Sequence, residues 1–187
     1  MDYRINELRR FRIVLGGLAA SLAISVFYGF NLLSNYLQTE YGLSGSDLTT
    51  ITTTGIVVGF VTFPCGMLLD YAGPVWVLLI ATTSCALGAL LFGLAFNGLI
   101  AASVVRFSVF CAFLNFGCLS FDTGSLMAVL GSFPLTKGPV VALMKTFAGL
   151  GASVLAVINN SFFRDRYAAY IVDVLGARSV VVTLVWY

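Results

Sequence analysis

Long apolar runs separated by short polar connections dominate the sequence. A membrane-spanning helix needs about 20 mainly apolar residues, and six stretches meet or approach that length. The pattern therefore predicts six spanning helices, over residues 13–37, 48–69, 75–96, 100–127, 140–162 and 167–187. The connections are short, and the first three contain turn residues such as Gly, Ser, Pro and Asn. We expect an all-α membrane protein without a separate soluble domain.

The composition also indicates a membrane protein. Of the 187 residues, 59% are hydrophobic and only 10% are charged, whereas a soluble domain has about 25% charged residues. A soluble chain of this length could not cover so much apolar surface with polar groups, so the expected surroundings are a lipid bilayer. The net charge of +2 gives no reason to expect a nucleic-acid partner. Plasma membrane and endomembrane remain equally open.

Several enzyme classes are excluded by missing residues. The chain has no histidine, which removes the commonest proton carrier near neutral pH and the commonest transition-metal ligand. Cys65, Cys85, Cys111 and Cys118 form no CxxC pair and lie in apolar segments, so we expect packing residues rather than disulfides or metal ligands. There is no nucleotide-binding glycine loop. We therefore expect no enzyme, no cofactor and no metal site.

The arginines near the start predict the orientation. Residues 1–12 contain four arginines, while the first loop, 38–47, contains two acids and no cation. Lys and Arg are retained on the cytosolic side, so we expect residues 1–12 to be a cytosolic flank and 13–187 to be the membrane domain. A secretory signal peptide is disfavoured because no soluble domain follows. Arg164 and Arg166 fall on the outer side and do not follow the rule.

Four charged residues stand inside predicted spans: Arg106, Asp122, Lys145 and Asp173. A charge at the middle of a bilayer costs at least about 2.5–3.5 kcal/mol, so it is usually paired or faces a polar cavity. Asp122 and Lys145 lie at similar depth on adjacent antiparallel spans, roughly 9 Å inside the cytosolic boundary, which allows an ion pair. Arg106 and Asp173 both lie roughly 9–11 Å from the outer face. A polar pathway and a structural clamp both explain these charges, and Lys145 could also extend to the headgroups.

Other small and polar residues suggest how the helices face one another. Tyr28, Asn31 and Asn35 share one face of the first span through their i, i+3, i+7 spacing, and we expect that face to point into the bundle. Gly55 and Gly59 form a GxxxG pair on the second span. We favour helix packing within the chain over dimerisation as its role.

Two stretches resemble a known transporter family. Gly66-Met-Leu-Leu-Asp70-Tyr-Ala-Gly73 resembles the signature loop of the major facilitator superfamily, although the usual basic residues do not follow it. Residues 132–152, SFPLTKGPVVALMKTFAGLGA, resemble the phrase NFP-xx-RG-xV-x-GLLKGFVGLSGA at the fifth span of the nodulin-like subgroup. Residues 28–48 are also similar to that subgroup's first span and loop.

The resemblance implies one half of a major facilitator fold, built from two inverted three-helix repeats. It implies transport of a small solute by alternating access between two such halves, and Lys145 would favour an organic anion. The candidates for the substrate pathway or its gating are Tyr28, Asn31, Arg106, Asp122 and Lys145. The candidates for a conformational-lock loop are Gly66, Asp70 and Gly73.

The expected partners are the lipid bilayer, a small-molecule solute, and either a second six-helix half or a second copy of the chain. Only one half is present in this sequence, and we expect a truncated product rather than a natural half-size protein, because a lone half exposes its polar cavity to lipid. The alternative function is that of a membrane assembly partner, or of a product with no activity of its own.

Overall fold

The computed structural model describes residues 7–25 and 30–162, and every regular element in these ranges is an α-helix. The all-helical prediction is therefore confirmed for the part of the chain described. Tyr28, Arg164, Arg166, Asp173 and the sixth predicted span lie outside these residues. The helices are α1 (Glu7–Ile24), α2 (Phe30–Tyr41), α3 (Gly45–Gly59), α4 (Phe63–Ala72), α5 (Pro74–Phe96), α6 (Val104–Gly131) and α7 (Lys137–Phe162).

Three helical segments of the described chain are long and apolar enough to cross a membrane. They are Gly45–Ala72, Pro74–Phe96 and Val104–Gly131. The second of these is α5, which begins one residue before the predicted span 75–96 and ends with it. At the other end of the chain, α1 begins at Glu7, so part of the predicted cytosolic flank is helical.

The fourth predicted span, 100–127, differs from α6 at both ends. Gly98 has a φ of +75°, which favours glycine, and the chain is non-helical from 101 to 103. Ser103 is the extended N-cap residue, so α6 begins at Val104. The helix then continues to Gly131.

The second predicted span, 48–69, is not one continuous helix. α3 ends at Gly59 and α4 begins at Phe63, with Thr62 as its N-cap. Pro64 lies in the first turn of α4, where it has no N–H to donate and its ring would clash with the carbonyl four residues earlier in a continuous helix. The proline therefore accounts for the break, which counting apolar residues does not detect.

Glycines bring α5 and α6 into close antiparallel contact. A Cβ at Gly88 would lie 2.7 Å from the backbone nitrogen of Leu114, and one at Gly117 would lie 2.6 Å from that of Cys85. Each helix thus presents a glycine to the backbone of the other. Backbones that approach this closely gain van der Waals contact, which is the main attraction between helices in lipid.

The GxxxG pair of α3 packs against another face of α6. A Cβ at Gly55 would lie 2.5 Å from Nδ2 of Asn115, and one at Gly59 would lie 3.1 Å from both Asn115 Cβ and Leu119 Cδ1. Both glycines are buried. The motif therefore mediates packing within the chain, as predicted.

Helix α1 lies against both α6 and α7. Gly17 is buried where the side chains of Val129 from α6 and Met144 from α7 meet. Further along, Oγ of Ser25 donates to the Ala148 carbonyl at 2.9 Å. Because Gly17 pairs with Met144 and Ser25 with Ala148, α1 and α7 run parallel. This contact fixes the position of α7.

A cluster of aromatic rings joins α2, α5 and α6 near the 97–103 connection. Phe92 stacks on Phe107 with ring centroids 5.9 Å apart, and Phe110 meets Phe92 edge-on at 5.7 Å. The Tyr41 hydroxyl donates to the Ala95 carbonyl at 3.2 Å. These contacts hold the end of α2 against the α5–α6 pair.

The α5–α6 contact makes a specific stability prediction. Gly117→Ala should destabilise the fold by about 1–3 kcal/mol, because the added methyl group meets backbone atoms that cannot move freely. Gly149→Ala is the matched control, since a Cβ there meets nothing within 4 Å and alanine is favoured over glycine in helices by about 0.8–1.0 kcal/mol. Thermal unfolding followed with a thiol-reactive dye, which reports exposure of the buried cysteines, measures both. Equal melting temperatures for the two variants would contradict the close contact.

Candidate functional site

Asp122 and Lys145 form an ion pair between α6 and α7. The Lys145 ammonium donates to Oδ2 of Asp122 at 2.5 Å. The short connection between the two helices makes them antiparallel and gives the two residues matching depths, which allowed the pair; the structure shows that the two faces also meet. The Asp122 side chain is 22% exposed and that of Lys145 is 46% exposed. The pair therefore lies at the surface of the described chain rather than in its core.

The position of Lys145 depends on α1 more than on α6. Ala148 is one helical turn beyond Lys145, and its carbonyl accepts the hydrogen bond from Ser25 of α1. Met144 is buried against Gly17 of the same helix. With α7 held from this side, the long lysine side chain reaches Asp122 on α6.

The exposed surface of α7 divides into two stripes of different chemistry. One, which we call the polar stripe, carries small or polar side chains at helical spacing: Ala142, Lys145, Thr146, Gly149 and Ser153. The other, the apolar stripe, carries large aliphatic side chains: Leu143, Leu150, Val154 and Val157. Aliphatic side chains suit contact with lipid, whereas a charged side chain in hydrocarbon is costly; the Thr146 hydroxyl is satisfied within its own helix by the Ala142 carbonyl at 2.9 Å. The Asp122–Lys145 pair therefore belongs to the face that is less suited to lipid.

Arg106 does not join this pair. It is the third residue of α6, its side chain is exposed, and Nη1 donates to the Ala101 carbonyl at 2.6 Å. It thus caps the connection before the helix instead of lying well inside the span, because α6 begins at Val104 rather than at the predicted residue 100. Asp173, which the sequence places at a similar depth in the bilayer, lies outside the described residues.

The polar face predicted on the first span is only partly described. Tyr28 lies outside the described residues, and Asn31 is described only as a backbone position in the first turn of α2. Asn35 is exposed in the same helix. The assignment of Tyr28 and Asn31 to a solute pathway therefore stays a prediction.

The predicted lock loop forms the turn between α4 and α5. Gly66 lies within α4, and Asp70 lies in its last turn with an exposed side chain that makes no hydrogen bond or ion pair to any described residue. Gly73 joins the two helices with φ +84° and ψ 175°, a conformation that other residues rarely adopt. The turn therefore requires Gly73, while the locking role of Asp70 stays a prediction.

A buried amide on α6 was not predicted. Asn115 is 4% exposed, packs against Gly55 and Gly59, and donates from Nδ2 to the Cys111 sulfur at 3.3 Å. This hydrogen bond lies within α6, so Asn115 meets α3 by packing against its two glycines. The available signal was a single Asn within the apolar run 107–121, directly opposite a GxxxG pair.

The ion pair makes a second testable prediction. In a double-mutant cycle, Asp122→Asn and Lys145→Met should show a coupling energy of about 1 kcal/mol in unfolding, the upper end for partly exposed pairs. The matched control is the Glu7–Arg10 pair, whose atoms are 3.8 Å apart and whose Glu7 side chain is 80% exposed. Its cycle, with Glu7→Gln and Arg10→Met, should give a smaller value. Equal coupling energies in the two cycles would show that the Asp122–Lys145 contact adds no stability beyond that of an ordinary surface pair.

Comparison with known proteins adds one finding. The model of the Nodulin-like family matches residues 16–187. This match includes the second half of α1, all of α2 to α7 and both members of the ion pair. No curated protein matches the chain significantly. Since the family model covers most of the chain, the protein belongs to the Nodulin-like family.

Proposed function

We propose that this protein is a membrane transporter component that moves a small solute by alternating access, together with a second six-helix half. Membership of the Nodulin-like family and three helices able to cross a membrane support a membrane protein. The transport assignment goes further and depends on the polar stripe of α7. The relationship to the major facilitator superfamily supplies the expected architecture, in which two halves enclose the solute near the middle of the bilayer.

The ion pair on the polar stripe is the observation that carries the proposal. An ion pair adds little stability when exposed, and when buried its desolvation cost can exceed the gain, so stability alone does not explain why two charges stand inside predicted spans. Here Lys145 is half exposed beside Ala142, Thr146 and Gly149, which leave space around it. α7 corresponds to the predicted span 140–162, and an exposed ammonium inside such a span needs water, a solute or another protein surface. A solute pathway supplies the first two.

The charge at this position indicates the class of solute. One donor of the Lys145 ammonium is used by Asp122, and an ammonium has three. The other two donors have no partner among the residues that the structure describes, and we assign them to a carboxylate or another anionic group of the solute. Asp122 would compete with such a solute for Lys145, so binding and release of an organic anion would exchange one carboxylate partner for another.

The same surface also fits a second function. A non-transporting assembly partner would cover the polar stripe with another protein, and a half-exposed charge pair favours such a contact as well. The GxxxG pair does not support this alternative, because Gly55 and Gly59 are buried against α6. The two functions differ in whether solute crosses the bilayer.

Flux through proteoliposomes distinguishes the two functions. The chain, expressed from its whole reading frame, should transport at least one member of a panel of radiolabelled mono- and dicarboxylates. Lys145→Met should lower that flux about tenfold, which corresponds to a loss of about 1.4 kcal/mol in binding. Lys137→Met is the matched control, because Lys137 is exposed at the start of the same helix and forms no ion pair with a described residue; its flux should stay unchanged.

Two results would contradict transport of an organic anion through this site. One is flux no greater than that of protein-free liposomes for every solute, with the protein shown to be folded by thermal unfolding. That result would favour the assembly role. The other is unchanged flux in Lys145→Met, which would remove Lys145 from the pathway.

A further inference from the structure

Two cysteines far apart in sequence meet at the α5–α6 contact. The sulfurs of Cys85 and Cys118 are 3.5 Å apart. They lie near the middle of their helices, next to the position where Gly117 meets the backbone of Cys85. The approach of the two backbones is fixed by glycine packing, so the thiols are held together independently of any bond between them.

The two thiols differ in accessibility. Cys118 is 3% exposed, whereas Cys85 is only partly buried. The Cys85 sulfur also lies 3.8 Å from the Leu114 carbonyl, which can accept its S–H. A reagent would therefore reach Cys85 first, with the Cys118 sulfur 3.5 Å from it. Redox-sensitive cysteines commonly have this arrangement of an accessible thiol beside a resolving thiol.

The other two cysteines lack such a partner. Cys65 accepts a hydrogen bond from Ser120 at 3.4 Å, and Cys111 accepts one from Asn115 at 3.3 Å. Both are buried. Cys65 and Cys111 are therefore internal controls for the oxidation of Cys85. Their sulfurs lie next to a hydroxyl and an amide instead of a second sulfur.

We propose that Cys85 and Cys118 form a dithiol site that a hydroperoxide oxidises to a disulfide between α5 and α6. The Cys85 sulfur attacks the terminal peroxide oxygen, the O–O bond breaks, and an alcohol leaves with the thiol proton, giving a sulfenic acid on Cys85. The Cys118 sulfur then attacks the Cys85 sulfur, the S–O bond breaks, and water leaves with the second thiol proton. The two sulfurs lose two electrons in total, and the peroxide gains them.

Bond formation requires the two sulfurs to approach from their distance of 3.5 Å. A disulfide has an S–S distance of about 2 Å and needs the two Cα atoms within about 7 Å, and the glycine contact holds the two backbones close together at this point. Lipid hydroperoxides are the fitting class of oxidant, because the site lies within the predicted spans. The resulting bond would fasten two helices whose backbones are already in close contact.

Oxidation of the whole chain in lipid nanodiscs tests the site, with cumene hydroperoxide as the probe. After oxidation and denaturation, N-ethylmaleimide should label two of the four thiols instead of all four. A non-reduced digest should contain a Cys85–Cys118 linked peptide that a thiol reductant removes. In Cys118→Ala, the reaction should stop at a sulfenic acid on Cys85 that dimedone traps. The Cys65→Ala, Cys111→Ala double variant should form the linked peptide as the unmodified chain does.

Retention of all four thiols would overturn the proposal. So would loss of Cys65 or Cys111 at the rate of Cys85, because the contact between the two sulfurs would then give no advantage. Oxidation of Cys85 without a linked peptide would also overturn it, since Cys118 would not be acting as the resolving thiol.

Discussion

Close backbone contact along α6 is the constraint on which the rest of the described structure depends. In lipid there is little hydrophobic attraction between helices, so they associate where small residues let their backbones approach. α6 meets α5 through Gly88 and Gly117, and it meets α3 through Gly55 and Gly59. With these two sides occupied, the remaining surface of α6 is available to α1 and α7. Asp122 lies on that surface, which is why the ion pair forms where it does.

The candidate site then follows from how α7 is held. α1 binds one face of α7 through Ser25 and Gly17, the apolar stripe suits lipid, and the polar stripe lies between them. Lys145 reaches Asp122 from the edge of the polar stripe. The charged face of the helix is thus one that the described chain leaves exposed. A solute pathway accounts for this division without placing a half-exposed ammonium in hydrocarbon.

Patterns within one segment were predicted better than contacts between segments. α5 was predicted to within a residue, because its apolar run lies between Pro74 and the Asn97-Gly98 turn. The Asp122–Lys145 pair could be anticipated because a short connection fixes the relative depth of two neighbouring helices. The break before Pro64 was missed because counting apolar residues ignores the missing N–H. The burial of Asn115 and the contact between Cys85 and Cys118 were not predicted. Both depend on which helix faces α6, and the spacing of residues along one helix does not encode that.

Water accessibility along α7 tests most directly whether the polar stripe faces a pathway. Single cysteines would replace Ala142, Thr146 and Gly149 on the polar stripe, and Leu143, Leu150 and Val154 on the apolar stripe, in a chain without the four native cysteines in nanodiscs. A membrane-impermeant, positively charged methanethiosulfonate should modify the first group at least about tenfold faster than the second, because a permanently charged reagent is excluded from hydrocarbon. Equal protection of both groups would place the polar stripe against lipid or protein and contradict the pathway.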